Sequence, residues 1–388
     1  MRTIDIRLTM SAFDLITKPI PEITDFLKAH NIELKKTKYE DVYLIKFTPL
    51  TDVSHPAVNQ IKGLIFNHRT GEIISMTHPV PIEIKDLESE KQEKLFQLLE
   101  KNQYTVTQVP DGTLLRYSYL PESEQWIIST NSKEDASEAF WMNNVSLIQQ
   151  FESANNGKIN TNNLNKNYIY MFVLCHPLNV IVVNHQKPEI YHVATYDKKT
   201  LTQIDCDLGI PKPKKYDYTI QQIVDLTRQS VNKPVESAGF MVISESFGIH
   251  FRYRFENANY TRARQLRGDS NNIDYILLNI SQQGVDAIQE FFEYYPIYIS
   301  LYNHLLLRVN QLIDKLYREY GLRYKKKSNI RVHPRHHKFL GLIHQNLYIG
   351  TLQPMGKTVQ FRDIDKFVRN QPTAKLLYLL NYIYDTGY

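Results

Sequence analysis

The sequence predicts an α+β domain followed by an all-helical one, and three observations carry that expectation. Short β-branched and aromatic runs alternate with amphipathic stretches as far as about Arg267. From about Val285 the pattern turns to helical periodicity, as in Leu305, Val309, Leu312 and Leu316, and later Leu376, Leu377 and Leu380. Between two strand-like runs, residues 104–108 and 114–120, sits Val109-Pro110-Asp111-Gly112-Thr113. Its Asp-Gly pair predicts a tight hairpin with Gly112 at positive φ. The expected domains are residues 1–275 and 276–388.

In chain order, residues 21–30 form an expected helix with Ile23, Phe26 and Leu27 on one face, followed by a strand at 42–47. Runs 63–66 and 73–76 flank a hairpin loop at 67–72, and 87–101 is a charged amphipathic helix. After the Asp-Gly turn come a strand at 126–130 and a helix at 132–151, with Ser132 as N-cap and Asp135 at the capping-box position. Residues 153–167 are a polar loop, and 168–175, 180–183 and 189–196 are strands. A stiff basic connector at 210–218 carries Pro211, Lys212, Pro213, Lys214 and Lys215. Then follow a helix at 219–231, strands at 239–244 and 249–255, and a short basic helix at 259–267.

Composition bounds the function. The 42% hydrophobic and 22% charged fractions are those of an ordinary globular protein, and the net charge of +5 is too mild to establish nucleic-acid binding by itself. Cys175 and Cys206 are the only cysteines, which argues against a disulfide scaffold or a cysteine zinc site and fits a reducing compartment. Asp5, Arg7 and Asp14 break any apolar leader, and Asn303, His304, Arg308 and Asn310 interrupt the longest apolar run at 297–313. The expectation is a soluble cytoplasmic protein with no membrane partner.

The strand-borne landmarks then fall into an order. Lys62-Gly63-Leu64-Ile65-Phe66 precedes Thr70-Gly71-Glu72; the Asp-Gly turn follows. Next come Phe172-Val173 with Pro177, Asn179, Ile181 and Val182, then Ala238-Gly239-Phe240-Met241-Val242, and last Arg252-Tyr253-Arg254 with Tyr260. Over roughly residues 60–267 this order resembles the T4-type RNA ligase family of covalent nucleotidyltransferases. The resemblance implies antiparallel sheets packed by helices around a nucleotide cleft. It also implies a lysine, in a Lys-x-Asp-Gly turn, that takes AMP from ATP.

The departures from that family lie where its chemistry sits. Val109 occupies the lysine's place and has no amine to form a phosphoramide bond, and no other Lys-x-Asp-Gly occurs. The two acidic strand positions, implied in metal and nucleotide handling, are Val173 and Ala238, which offer magnesium no oxygen. Glu236, of the same strand parity as Ala238, is a weak substitute. The segment 77–84 lacks the family's Pro-Phe and Lys-Phe-Phe-Asn pattern.

The cations, by contrast, are kept. Arg252 and Arg254 share one strand face and, with Lys62, are the phosphate-holding candidates; their plainer reading is a salt bridge to a nearby carboxylate. Asp111 reads as a turn residue rather than a ligand. Arg262, Arg264 and Arg267, and farther on Arg323, Lys325, Lys326 and Lys327 among Tyr317, Tyr320 and Tyr324, suit RNA contact or a solvated charged face. His333, His336, His337 and His344 lack a Cys or carboxylate pattern for metal and read as basic surface or a helix cap.

The leading expectation is a catalytically inactive RNA-ligase-like protein that binds RNA, through its 5′ end or a nucleotide, within a larger assembly with other proteins. It would need no cofactor and no metal. Two other readings stand beside it. One is an active ligase using ATP, magnesium and an unrecognised lysine; the other is a protein-interaction scaffold without RNA binding.

Overall fold

The computed structural model describes residues 12–53, 55–141, 144–229, 235–246 and 249–381. The chain divides into two compact units, Met1–Arg262 and Ala263–Tyr388. The expected boundary after residue 275 falls inside the second.

The first unit opens with α1 (Ala12–Ile16) and α2 (Ile20–Ala29), then β1 (Ile32–Lys36), β2 (Val42–Phe47), α3 (Pro56–Asn59), β3 (Ile65–Asn67) and β4 (Glu72–Ser75). The four strands form an antiparallel sheet in sequence order. The helices bury Leu15, Ile23 and Leu27 against its Ile45 and Phe66, while Leu44 and Ile65 on the opposite face meet Leu120 and Ile127. At the β3–β4 turn, Asn67 accepts the N–H groups of Arg69 and Thr70 and Gly71 sits at φ 68°, so this hairpin forms as its sequence predicts.

Next come β5 (Ile82–Glu83), α4 (Ser89–Glu100), β6 (Tyr104–Gln108), β7 (Thr113–Leu120), β8 (Gln125–Ser129), α5 (Leu147–Asn155), β9 (Tyr168–Cys175) and β10 (Glu189–Asp197). The unit continues through β11 (Gln203–Ile204), β12 (Lys215–Tyr216), α6 (Ile220–Arg228), β13 (Gly239–Ser246) and β14 (Ile249–Glu256) into α7 (Ala258–Arg267). These strands make two five-stranded sheets, ordered β11-β10-β9-β7-β8 and β12-β6-β13-β14-β5. Their pairings are antiparallel except that β14 and β5 run parallel. Phe151 of α5 packs on Leu115, Phe172 and Ile190, and Leu99 of α4 with Ile223 of α6 packs on Val106, Val242 and Phe255.

Three expectations need correction here. First, β6 and β7 belong to different sheets, so residues 109–112 carry the chain from one sheet to the other and close no hairpin. Gly112 is not among the positive-φ residues. It is needed for another reason: a Cβ there would collide with the carbonyl of Leu174 and crowd Val173. Second, the helix expected from residue 132 begins at Leu147, capped by Ser146 with Gln149 closing the capping box. Asp135 instead caps a single short turn at Ser137. Third, residues 180–183 form no strand, because the N–H groups of Val182 and Val183 are spent on the Asp111 carboxylate. The helix expected to reach Val231 ends at Arg228, and Val231 lies outside the described residues.

The second unit is helical. It holds α8 (Ile273–Ser281), α9 (Val285–Tyr294), α10 (Ile299–Tyr320), α11 (Pro334–Leu342), α12 (Phe361–Arg369) and α13 (Thr373–Leu380). Leu305, Val309, Leu312 and Leu316 of α10 are buried, as their spacing predicts. Two π-helical stretches, Gly321–Lys325 and Ile343–Leu352, extend α10 and α11. No helix among the described residues is long and apolar enough to cross a membrane. The fold is thus α+β, with antiparallel sheets flanked by helices and a C-terminal helical unit.

Candidate functional site: a cationic cavity between two sheets

The segment that joins the two five-stranded sheets also floors a cavity of about 680 Å³ between them. Its shape follows from strand parity. The face of β9 that buries Ile169 and Met171 in the first core presents Val173 to the cavity, beside Val109, Pro110 and Gly112. From the other sheet, Met241 and Ile243 of β13 and Arg252 and Arg254 of β14 face the same space. Lys62, Thr77 and His78 also line it, as do Lys212 and Lys215 of the basic connector.

The turn is anchored away from the cavity by Asp111, which is 4% exposed. One carboxylate oxygen accepts from Val182 N–H (2.9 Å) and Val183 N–H (2.7 Å), and the other accepts from the Tyr260 hydroxyl (2.7 Å). The Asp111 carbonyl accepts from His185 Nε2 at 2.6 Å, and Asn179 bonds the Thr113 hydroxyl at 2.8 Å. Asp111 is a structural clasp for three chain segments, a wider role than holding its own turn.

Arg252 is 7% exposed and donates one Nη2 bond to Gln203 Oε1 at 2.9 Å, while its Nε–H has no partner. A buried guanidinium with an open donor and no carboxylate against it favours an anion in the adjoining space. Arg254 lines the same cavity with its charge already shared. It is paired with Glu256 at 3.0 Å and approached by Glu83 at 3.8 Å, so the plainer salt-bridge reading holds for it. Burial alone would raise the Glu256 carboxyl, but Arg254 and Lys85 outweigh it and hold it below the usual range. Lys62 lines the cavity, its carbonyl accepting from the Thr77 hydroxyl.

Lys62, Lys212, Lys215, Arg252 and Arg254 line the cavity against only two carboxylates, Asp205 and Glu245. Asp205 is already paired with Lys212 at 3.1 Å. Burial, reinforced by the charges of Arg252 and Lys62, pushes the His78 imidazole down to about 4, so it is neutral at pH 7. Burial does the same to His192, also to about 4. Three further polar atoms of lining residues have no hydrogen-bond partner, Arg254 Nε, Asn131 Oδ1 and His192 Nδ1. The site can therefore offer an anionic ligand fixed positive charge and the open Nε–H donors of Arg252 and Arg254.

Groups for covalent or metal chemistry are missing at the expected places. Val109 and Val173 line the wall as hydrocarbon, and Ala238 is fully buried outside it. Glu236 is exposed and does not line the cavity. Among the described residues, no cluster of three or more His, Cys, Asp or Glu side chains is placed to hold a metal ion.

Arg116 was missed by sequence reasoning. It is fully buried on β7, where burial lowers it to about 9, and it donates to the carbonyls of Gly63 and Thr130. It thereby fixes the segments that carry Lys62 and Asn131. An arginine inside a hydrophobic alternating run (Leu114-Leu115-Arg116-Tyr117) was its only sequence signal.

The remaining basic candidates are separate from this cavity. Arg262 and Arg264 are exposed, whereas Arg267 is buried with a bond to the Gly268 carbonyl. In the second unit, Lys325, Lys326 and Lys327 are exposed and Arg323 is half-buried. His333 caps α11 by accepting Arg335 N–H, and His336 meets Glu319 at 3.1 Å.

No protein-family model matches the chain, and no curated protein matches it. Among solved structures, the chain is similar to an archaeal ATP-dependent RNA ligase at 12% identity, covering 97% of this chain and 100% of that one with a TM-score of 0.42. It is also similar to an RNA ligase mutant from Naegleria gruberi with AMP and Mn, at 12% identity over 49% of this chain and 58% of that one, TM-score 0.36.

Proposed function

We propose that this protein binds RNA by a phosphate, at a 5′ end or on a nucleotide, in the cavity of its first unit and performs no nucleotidyl transfer there. The observation that carries the reading is the pairing of Val109 with Arg252 across one cavity. The wall that would supply a nucleophile is hydrocarbon, while the facing strand keeps a buried guanidinium with an open donor. Such a site stabilises an anion electrostatically and has no amine at the turn to attack one. Binding needs neither ATP nor magnesium. The protein would act in the cytoplasm as the RNA-holding member of an assembly with other proteins.

Incubation with magnesium and ATP labelled on its α-phosphate tests the non-catalytic part. The expected result is no label after denaturation. A stable adduct on Lys62, Lys212 or Lys215, the three lysines that line the cavity, would replace this reading with that of an active ligase. Salt-dependent binding of a 5′-phosphorylated RNA is expected, about tenfold or more weaker in Arg252→Ala, since a charge-assisted bond contributes about 1.5–3 kcal/mol. Absence of RNA binding would leave the scaffold reading in its place.

A further inference from the structure

We infer that the second unit carries its own stacking site for an unpaired nucleobase, built where two π-helical stretches bring their rings together. This rests on the RNA-binding reading above but uses different residues in a different unit. π-Helical turns are rare and concentrate at functional sites, because they sacrifice regular bonding to reposition side chains. Here the Lys326 N–H reaches the Gly321 carbonyl five residues back, at 3.0 Å, and the second stretch closes with the Gln353 N–H on Tyr348.

The consequence is a ladder of flat rings. Tyr324, from the first stretch, stacks on His344 at 4.1 Å and 15°, and His344 stacks on Tyr348 at 5.3 Å and 23°, both from the second. The Tyr320 hydroxyl bonds His344 Nδ1 at 3.2 Å and fixes the middle ring. Burial lowers the His344 pKa, which favours its neutral ring. All four rings line a cavity of about 250 Å³ with Lys325, Thr358 and Val359. No lining residue is acidic and only Val359 is aliphatic, so the lining suits a planar polar ring better than a hydrophobic peptide side chain.

Because Lys325 Nζ already bonds the Val359 carbonyl at 2.7 Å, neighbouring lysines would supply the phosphate contacts of a nucleotide whose base enters the cavity. Lys325 lines it and is followed by exposed Lys326 and Lys327; exposed Lys357 precedes Thr358 in the chain. Base stacking on aromatic rings tolerates any sequence, while the lysines hold the backbone by charge. The ligand is therefore a nucleobase with its phosphate, from single-stranded RNA or from a free nucleotide.

The test uses the full chain and a short single-stranded RNA with one 2-aminopurine, whose emission falls on stacking. Quenching by the wild-type protein, relieved by excess unlabelled single strand but not by duplex, is expected. Relief by AMP at comparable concentration would assign the site to free nucleotides instead. Tyr324→Ala should weaken single-strand binding about tenfold, as loss of one stacked base implies, while Tyr324→Phe keeps the ring and the affinity. Lys326→Ala with Lys327→Ala should lower the salt dependence. Unquenched emission from bound wild-type protein would overturn the proposal without requiring any variant to fold. A folded Tyr324→Ala protein with wild-type affinity would do so too. Arg252→Ala should leave the quenching intact while weakening the 5′-phosphate contact, so failure of one site is distinguishable from failure of the other.

Discussion

Asp111→Ala should unfold the first unit more readily without touching the cavity lining. The side chain is 4% exposed and satisfies three donors: the N–H groups of Val182 and Val183 and the hydroxyl of Tyr260. Each buried donor left without a partner costs about 1–3 kcal/mol. Partial relaxation of the 180–183 segment brings the sum to about 3–6 kcal/mol, a large share of the roughly 5–15 kcal/mol by which domains are stable. Asp111→Asn should cost less, about 1–2 kcal/mol. Its amide oxygen still accepts from the two N–H groups, and the Tyr260 hydroxyl turns to accept from the amide nitrogen, losing only the charge assistance. Tyr260→Phe should cost about 1 kcal/mol. Combined with Asp111→Ala it should add little, because the carboxylate that the hydroxyl donates to is already gone. Urea denaturation of the four variants measures these differences, with phosphate binding by Asp111→Asn as the control. A wild-type urea midpoint for Asp111→Asn together with a tenfold loss of phosphate binding would refute the clasp and make Asp111 a ligand.

Further outcomes follow from other parts of the first unit. Gly112→Ala should be recovered poorly or strongly destabilised, by more than about 3 kcal/mol, since its methyl would meet the Leu174 carbonyl; a wild-type melting curve would contradict the close approach. Arg116→Met should cost about 2–4 kcal/mol, because the Gly63 and Thr130 carbonyls lose their donor. Urea denaturation checks it. Stability should fall as the pH drops from 6.5 to about 4. His78 and His192 are held near 4 in the folded state, so the unfolded chain takes up more protons in that window. Replacing both with Gln should flatten this part of the stability–pH curve. Ser146→Ala should cost about 1 kcal/mol through loss of the α5 cap, whereas Ser132→Ala should be near neutral; equal effects would restore the longer helix.

Local signals in the sequence were sufficient where the structure is local. The helix that opens at Thr219, the strand Tyr168–Cys175, and the buried stripe of α10 form as their patterns predict. Elements failed where distant partners took over the backbone groups. The N–H groups of Val182 and Val183 go to a carboxylate some seventy residues earlier, which no β-propensity reveals. The Asp-Gly pair read as a hairpin because local turn chemistry cannot say that its flanking strands join separate sheets.

The site shows the same division. Val109, Val173, Lys62 and Arg252 were found because their motifs occur in order along the chain, and they do line one cavity. His78, His192, Gln203 and Asn131 carry no motif and reach one cavity only through the tertiary fold. Glu256, the partner of Arg254, was readable two residues away on the same strand face; Glu83, on β5, was not.

The central claim is that the cavity beside Val109 holds a phosphate and makes no bond to it. A crystal structure with a 5′-phosphorylated oligoribonucleotide tests it most directly. The expected result is phosphate density against Arg252 Nε and Lys62, with no covalent link to the chain. Density continuous with a lysine side chain, or an empty cavity beside RNA bound elsewhere, would contradict it.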